Sequence, residues 1–232
     1  MMLKTLKEGL PELGLELSDE ICNRLCDFGK AMVKQNEVMN LTGITEDAPV
    51  AKLHLLDSLS VLCCGDIAGK TIIDVGCGAG FPGVPVAIAC PDAKVTLLDS
   101  LAKRMNWLET VLPQLGVTNA ECLTARAEEA VATRRESYDF ATSRAVARLN
   151  ILLELTAPYV KVGGAVLAMK GSAAREELAE AQNAISKLGL KLEEIRDFTI
   201  DGATHSVIVL RKVRSTPAQF PRRFSKIKQA PL

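Results

Sequence analysis

A glycine-rich turn limits the folds that are open to this chain. The apolar run at 71–75 is typical of a short buried strand, and Gly76, Gly78, Gly80 and Gly83 follow it before a helix opens. Glycines permit a tight turn and let a ligand approach the backbone closely. A purely structural turn is the alternative, but four glycines are unfavourable unless something must come near. We therefore expect a strand–turn–helix unit that binds a ligand.

The rest of the chain alternates strands with helices. Further strands are predicted at 95–98, 121–124, 138–142, 165–169, 190–200 and 206–213. Between them we expect helices, including one that Ser100 caps and one at 176–188. This alternation predicts an α/β fold with a mostly parallel sheet. The last two strands are joined only by a short turn at Asp201 and Gly202, so they should pair antiparallel.

Residues 1–65 carry a helical pattern instead. Apolar residues recur at helical spacing after Ser18, a predicted N-cap, and a second helix should begin near Pro49. We expect a helical extension at 1–65, a ligand-binding domain at 66–214 and a basic tail at 215–232.

Composition excludes several classes of protein. The chain has 232 residues, 48% of them hydrophobic and 24% charged, which is enough for a core and too apolar for a disordered chain. The longest uncharged stretch, 75–91, contains too many glycines and prolines for a membrane span. The start of the chain shows no apolar signal segment, so we expect a cytoplasmic protein with no membrane partner. The seven scattered cysteines should then be reduced thiols, with no metal site.

Two ligands compete for the glycine turn. Residues 78–83 fit the G-x-G-x-x-G dinucleotide pattern, whereas Asp74 followed by G-x-G-x-G resembles motif I of Class I S-adenosylmethionine (SAM) methyltransferases. A dinucleotide needs helix N–H groups for its pyrophosphate, while SAM carries an ammonium and a sulfonium. An acid at the strand end suits the cationic ligand. Asp99 ends the next strand and could accept from ribose hydroxyls of either ligand, or simply provide a negative charge at a helix start.

Fragments spread along the whole chain resemble one family, the bacterial 16S rRNA guanine-N7 methyltransferases (RsmG, also called GidB). The fragments that carry the resemblance are Asn40-Leu41-Thr42, His54 to Leu59, Asp74 to Pro85, Asp99-Ser100 with Lys103-Arg104, Ala127-Glu128, Ser143 to Ala147, Lys170-Gly171, and Phe220 to Arg223 with Pro231-Leu232. Each fragment alone is weak, but their order along the chain is specific.

The resemblance implies a seven-stranded Class I methyltransferase sheet with an antiparallel last strand. It further implies SAM-dependent methylation of N7 of a guanine, at position 527 in the 530 loop of 16S rRNA, on the small subunit or an assembly intermediate, by a monomer. The family's cofactor positions correspond here to Gly76, Phe81, Ala127, Glu128 and Arg144. With Asp74, Gly78, Gly80 and Asp99 these are the expected cofactor-binding residues.

Arg144 is the residue that we expect to act in catalysis. It ends a strand that should face the transfer site, where its guanidinium could bind a carboxylate or a phosphate through two hydrogen bonds. The alternative for Arg144 is an ion pair with Glu128 or Glu154, and the alternative for Glu128 is a helix-terminal charge. We expect His54 and Asp57 to anchor the helical extension to the sheet, and contact with RNA is the alternative.

No obvious catalytic base stands in the sequence. Guanine N7 already has a lone pair and no proton, so direct in-line transfer needs positioning only. The chain also lacks the Asn/Asp-Pro-Pro-aromatic run of adenine amino-methyltransferases and the Pro-Cys dipeptide of pyrimidine methyltransferases.

RNA contact is predicted for a local concentration of positive charge. The chain is neutral overall, with 28 basic and 28 acidic residues, but no acid follows Gly202. The expected RNA-binding residues are Lys103, Arg104, Lys170, Arg222, Arg223, Lys226 and Lys228. Phe220 and Phe224 lie among the last four and could stack on bases. The tail could instead be a solvated polar segment without a binding role. For the function of the whole chain, the alternatives are a methyltransferase of a small molecule or protein and a non-enzymatic nucleotide-binding regulator.

Overall fold

The computed structural model describes residues 1–232, and a seven-stranded sheet forms its centre. The strands are β1 (Thr71–Val75), β2 (Lys94–Asp99), β3 (Ala120–Thr124), β4 (Tyr138–Arg144), β5 (Val160–Lys170), β6 (Leu190–Ile200) and β7 (Ala203–Lys212). Their order across the sheet is β3-β2-β1-β4-β5-β7-β6. β1 to β5 pair in parallel, and β7 pairs antiparallel with both β5 and β6. The predicted α/β fold and its antiparallel end are confirmed.

Helices cover both faces of the sheet. They are α1 (Met2–Gly9), α2 (Asp19–Met39), α3 (Asp47–Val50), α4 (Asp57–Leu59), α5 (Gly83–Ala89), α6 (Ala102–Gln114), α7 (Ala127–Arg134), α8 (Leu149–Thr156), α9 (Ala174–Glu180), α10 (Gln182–Lys187) and α11 (Phe224–Gln229). The prediction of one helix at 176–188 was wrong, because Ala181 leaves the helical conformation, with φ of −86° and ψ of 3°, and separates α9 from α10. Ser100 is not a helix cap either, since Leu101 precedes α6.

The N-terminal helices form as predicted and lead into the sheet. The Ser18 side chain accepts a hydrogen bond from the Ile21 N–H, and α2 ends where Asn40 adopts a left-handed conformation, with φ of 48°. From Asp47 to Cys64 the chain stays helical, with π-type turns between α3 and α4. These segments are therefore held by local caps as well as by packing.

Alternating side chains of the strands feed two hydrophobic clusters, one on each face. Along β5, Leu167 and Met169 join the cluster that contains α1, α2, α5 and α6. Val166 and Ala168 join the cluster with α8, α9 and α10. The helical N-terminal segment thus shares one core with the sheet, as expected for a parallel sheet buried on both faces.

The C-terminal tail crosses the second face. Phe220 and Ile227 of this tail are buried against the cluster that contains α8. No helix combines the length and the apolar character that crossing a bilayer would require.

Candidate functional site

The glycine turn after β1 requires conformations that favour glycine. Gly76, Gly78 and Gly80 all have positive φ, at 76°, 56° and 94°. A Cβ on Gly76 would lie 2.4 Å from a methyl carbon of Val146, so glycine is needed there for close approach. The N–H groups of Gly76 and Cys77 donate to the Leu98 carbonyl and bind the turn to β2. The turn is thereby fixed at the carboxyl edge of the sheet.

A cavity of about 580 Å³ opens at this edge, beside β1, β2 and β4. This is where open α/β sheets bind ligands. Its wall includes seven of the nine residues that the sequence predicted for a cofactor, namely Gly76, Gly78, Phe81, Asp99, Ala127, Glu128 and Arg144. One cavity therefore unites residues from four separate segments.

Asp74 and Gly80 are the two that do not line the cavity. The Asp74 carboxylate is fully buried, where its Oδ2 accepts from the Gly83 N–H at 2.8 Å and its Oδ1 has no hydrogen-bond partner. Burial raises the pKa of Asp74 to about 7. A Cβ on Gly80 would press on Val84, Leu108 and Phe28, so this glycine serves packing. Both residues support the turn from the protein interior. This corrects the expectation that Asp74 and Gly80 would face the cofactor.

Asp99 connects the end of β2 to the glycine turn and to the residue that precedes α6. Its Oδ1 accepts from the Leu101 N–H and its Oδ2 from the Gly78 N–H, both at 2.9 Å. Asp99 thus holds Leu101, the residue before α6, and fixes the glycine turn while it lines the cavity. Each carboxylate oxygen has a second lone pair, so Asp99 can still accept from a ligand.

Ala127 and Glu128 lie at the far end of the cavity, in the first turn of α7. No side chain caps this helix, so its first N–H groups are available. Glu128 makes no ion pair with Arg144, and neither does Glu154.

Arg144 is bound by the N-terminal segment. Its Nη1 donates to Asp57 Oδ2 at 2.8 Å and to the Leu53 carbonyl at 3.0 Å, and its Nη2 lies 3.2 Å from His54 Nδ1. The Asp57 carboxylate also accepts a hydrogen bond from His205, with 2.8 Å between Oδ1 and Nδ1. The carboxylate that Arg144 binds is therefore the buried Asp57. The sequence favoured a ligand carboxylate or phosphate, and the alternative ion pair with Glu128 or Glu154 does not form.

The electrostatics of this network follow from its geometry. Burial opposes ionisation of Asp57, but His205 and Arg144 outweigh it and hold the pKa of Asp57 below its ordinary value. The same hydrogen bond raises the pKa of His205. Burial and the adjacent Arg144 lower the pKa of His54 to about 4, so His54 is neutral. His54 and Asp57 anchor the helical extension to the sheet, as predicted.

Aromatic side chains complete this part of the wall. The His54 ring stacks on Phe81 with 4.9 Å between centroids, and the Arg144 guanidinium lies 5.1 Å from the same ring centre. Phe28 of α2 contacts Phe81 from the other side. Phe81 is thus fixed between the extension and the glycine turn.

Two of the predicted RNA-binding residues are used internally. Lys170 is almost buried, pairs with Glu177 at 2.8 Å and donates to the Ala147 carbonyl. Arg222 binds the fully buried Glu154 through its main-chain N–H and its guanidinium, at 2.6–2.8 Å. Neither side chain is free to hold a phosphate, because Lys170 already neutralises the largely buried Glu177 and Arg222 the fully buried Glu154.

The other predicted basic residues remain on the surface. Arg104 lines the cavity, and Lys103 beside it is exposed. Arg223, Lys226 and Lys228 are exposed on the tail. A second groove is bordered by Arg223, Lys228 and Arg126. Phe224 lines both this groove and the cavity. Basic side chains therefore lie on the cavity wall and along the adjoining groove, which also contains Glu128 and Glu129.

Sequence reasoning did not assign several wall residues to the site. These are Leu41, Thr42, His54, Val146, Leu155 and Phe224. Thr42, His54 and Val146 belong to fragments that carried the family resemblance, so a signal for them was present. Leu155 and Phe224 are brought to the cavity by α8 and the tail, which no local pattern reveals.

Comparison with known proteins gives a family match over most of the chain. The family model described as "GidB: rRNA small subunit methyltransferase G" matches residues 21–206. A ribosomal RNA small subunit methyltransferase G of Alkaliphilus metalliredigens (strain QYMF) is 43% identical, over 94% of this chain and 93% of that protein. The protein of the same name from Clostridium perfringens (strain 13 / Type A) is 40% identical, over 98% of this chain and 97% of its own length.

Solved structures agree on the fold. TrmN from Thermus thermophilus superposes with a TM-score of 0.56 at 20% identity, covering 80% of this chain and 52% of that one. M. jannaschii TYW2, solved in complex with AdoMet, gives 0.55 at 14% identity, covering 67% of this chain and 74% of that one. A precorrin-6y C5,15-methyltransferase from Geobacter metallireducens GS-15 gives 0.54 at 12% identity, covering 75% of this chain and 93% of that one. With the strand order, these likenesses establish the Class I methyltransferase fold.

Proposed function

The chain belongs to the rRNA small subunit methyltransferase G family, and on that premise we propose that it methylates N7 of a guanine in the 530 loop of 16S rRNA, with SAM as the methyl donor. Membership of a small-subunit rRNA methyltransferase family is the single observation that carries this proposal. The choice of guanine, of N7 and of the loop rests on the resemblance of the sequence fragments given above.

The cavity suits SAM better than a dinucleotide. Its wall offers the acids Asp99 and Glu128, and a third acid, Asp74, lies under the turn with one unpaired oxygen. Acids favour a ligand that carries an ammonium and a sulfonium, and they disfavour pyrophosphate. A Cβ on Gly78 would meet only Arg104, at 3.7 Å, so the turn leaves open space on the cavity side.

Three groups would hold the cofactor. Asp99 would accept from the ribose hydroxyls through its remaining lone pairs, and Glu128 from the adenine amino group. The free backbone N–H groups at the start of α7, at Ala127 and Glu128, would address the ring nitrogens. When bound, SAM supplies an electrophilic methyl group on its sulfonium.

The chemistry then requires orientation of the base without removal of a proton. Guanine N7 is nucleophilic as it stands, so no base is required. His54 is not free to act as one, because its Nδ1 already accepts from Arg144 and its Nε2 bonds to Thr42. The guanine ring would carry a positive charge once N7 is methylated. Arg144 does not oppose this change, since the Asp57 carboxylate neutralises its charge. We propose Arg144 as a wall and positioning residue, with Phe81 held against it.

RNA would approach across the flanking basic residues. Arg104 and Arg126 line the cavity, Lys103 is exposed next to Arg104 in the sequence, and Arg223 and Lys228 border the adjoining groove. Lysines and arginines that neutralise phosphates supply most sequence-independent affinity for nucleic acid. This arrangement favours an RNA substrate over a small molecule. A regulatory protein that only binds a nucleotide would not need these basic residues.

Methyl transfer to defined substrates tests the function. Small subunits lacking the modification are incubated with the protein and SAM labelled in its methyl group, and the label is mapped in 16S rRNA by mass analysis. We expect one labelled guanine, and no label when that guanine is replaced by 7-deazaguanine, which has no N7. Label at another atom or RNA, or label retained by the 7-deaza substrate, would refute the proposal.

A further inference from the structure

The direction of each hydrogen bond around Thr42 is fixed by Arg144. A guanidinium can only donate, so His54 Nδ1, 3.2 Å from Arg144 Nη2, must be the acceptor. A neutral imidazole that accepts at one nitrogen carries its hydrogen on the other. His54 Nε2 therefore donates to Thr42 Oγ1, which is 2.9 Å away.

Thr42 Oγ1 receives a second donor. The main-chain N–H of Ile44 donates to it at 3.0 Å. A hydroxyl has two lone pairs and one hydrogen, so these two bonds use its whole capacity to accept. Thr42 lines the cavity, and the one interaction left to its side-chain oxygen is to donate. The relay from Arg144 through His54 thus turns an adaptable hydroxyl into a donor of fixed sense.

A donor of fixed sense distinguishes guanine from adenine on the edge that carries N7. Guanine presents two acceptors there, N7 and O6, whereas adenine presents N7 and an amino donor. On the proposed function, N7 faces the methyl group, and O6 is the acceptor next to it. We propose that Thr42 is a specificity-determining residue that donates to O6 of the target guanine and rejects an amino group at the same position.

The same wall lends geometric support. Thr42, His54 and Arg144 line the cavity together with Phe81, on whose ring His54 stacks. Asp57, which orients Arg144, is itself only 5% exposed and held on both oxygens. Because the pKa of His54 is lowered to about 4, its ring stays neutral around pH 7 and keeps the hydrogen bonds to Arg144 and Thr42 in the same direction. Nothing in the relay can reverse without moving Arg144.

Base analogues test the hydrogen-bond sense in the wild-type protein. Small subunits are assembled with the target guanine replaced by 2-aminopurine, which lacks O6, or by 2,6-diaminopurine, which has an amino group there; both retain N7. We expect kcat/KM to fall by about 10- to 100-fold for 2-aminopurine and at least as far for 2,6-diaminopurine. Equal methylation of guanine and 2-aminopurine would overturn the inference.

Variants then assign the discrimination to Thr42. Thr42→Val removes the hydroxyl at similar volume and should lower kcat/KM for guanine about 10- to 100-fold, while kcat/KM for 2-aminopurine stays within about 3-fold. Thr42→Ser retains the hydroxyl and should keep the preference for guanine. Thr110→Val is the matched control, because its exposed hydroxyl donates to the Asn106 carbonyl within α6. A Thr42→Val protein that still prefers guanine as strongly as the wild type would overturn the role.

The inference rests on the proposed function, and the 7-deazaguanine substrate separates the two. If that substrate is methylated, the proposed function and the inference both fall. If it is not methylated but the preference for guanine over 2-aminopurine survives in Thr42→Val, only the inference falls. SAM affinity measured by calorimetry should be the same in Thr42→Val and the wild type, and a parallel loss of SAM binding would count against a role in base recognition.

Discussion

Arg144 and Asp57 are 87 positions apart in the sequence, and their ion pair, 2.8 Å from Nη1 to Oδ2, joins the end of β4 to α4. The pair is shielded from water, since the Asp57 side chain is 7% exposed and that of Arg144 18%. It is therefore a connection between the helical extension and the site, at a position where loss of one partner leaves the other charge buried.

Asp57→Ala should lower the free energy of unfolding by about 3–5 kcal/mol, because Arg144 would remain buried without its counter-charge. Denaturant titration measures this change. The control is Asp27→Ala, which removes a surface pair with Lys30 and should change stability by less than about 1 kcal/mol. Similar effects for the two variants would show that the buried pair contributes no more than a surface one.

Arg222 and Arg223 are neighbours with opposite expected roles. Arg222→Ala should destabilise the fold by about 3–5 kcal/mol, since Glu154 is fully buried and would lose its partner. Arg223→Ala should leave the melting temperature unchanged and weaken RNA binding, with the slope of log K against log salt falling by about 0.7–0.9. RNA affinity at several salt concentrations, together with thermal melts, checks both. The reverse assignment, with Arg223 controlling stability, would contradict the geometry.

Gly78→Val should abolish SAM binding. Gly78 lines the cavity with φ of 56°, and a branched side chain there would occupy the space in front of the turn. Gly14→Val is matched for backbone strain, because Gly14 has φ of 71° and open space around it, but it lies in the turn before α2. Both variants should be destabilised by about 1–2 kcal/mol or more. Calorimetry should find SAM binding only in Gly14→Val, and binding by both would remove the turn from the cofactor site.

Asp74 should give stability a distinctive pH dependence. Its pKa is raised from 3.8 to about 7 in the folded protein, so between these values the folded state binds more protons than the unfolded state. The free energy of unfolding therefore falls as pH rises through this window and becomes level above about 7. In Asp74→Asn this contribution disappears. Denaturant titrations of both proteins from pH 4 to 8 should give a difference that falls up to about pH 7; a constant difference would show that Asp74 ionises normally.

Local patterns predicted the elements, but they could not predict the ion pairs. The bounds of β6 and the antiparallel end follow from apolar runs and a short turn, which are properties of neighbouring residues. The position of Arg144 on the cavity wall could also be predicted, because the ends of parallel strands meet at one edge. Its partner depended on where α4 packs, and nothing near Arg144 in the sequence distinguishes Asp57 from Glu128 or Glu154.

The same limit explains the errors among the basic residues. Arg222 stands in a segment without acids, and Lys170 has no acid among the five residues on either side of it, so sequence alone predicted free positive charge at both. Their partners Glu177 and Glu154 come from α9 and α8. For Arg222 the burial of its partner decides the role, and burial of a single acid on an amphipathic helix is set by tertiary packing.

The N-terminal helices are synthesised first, but the hydrophobic cluster to which they belong is complete only when the last strand has been made. During synthesis, α1 and α2 leave the ribosome long before the strands on which they pack, and their hydrophobic cluster includes Val207 and Val209 of β7. Likewise, Asp57 can form its hydrogen bond with His205 only after another 148 residues have been synthesised. A nascent chain therefore carries exposed apolar helices until nearly all of it has emerged, and contacts this distant in sequence form slowly. Premature stops anywhere before β7 should consequently yield products that chaperones and proteases recognise, with no partly folded enzyme left behind.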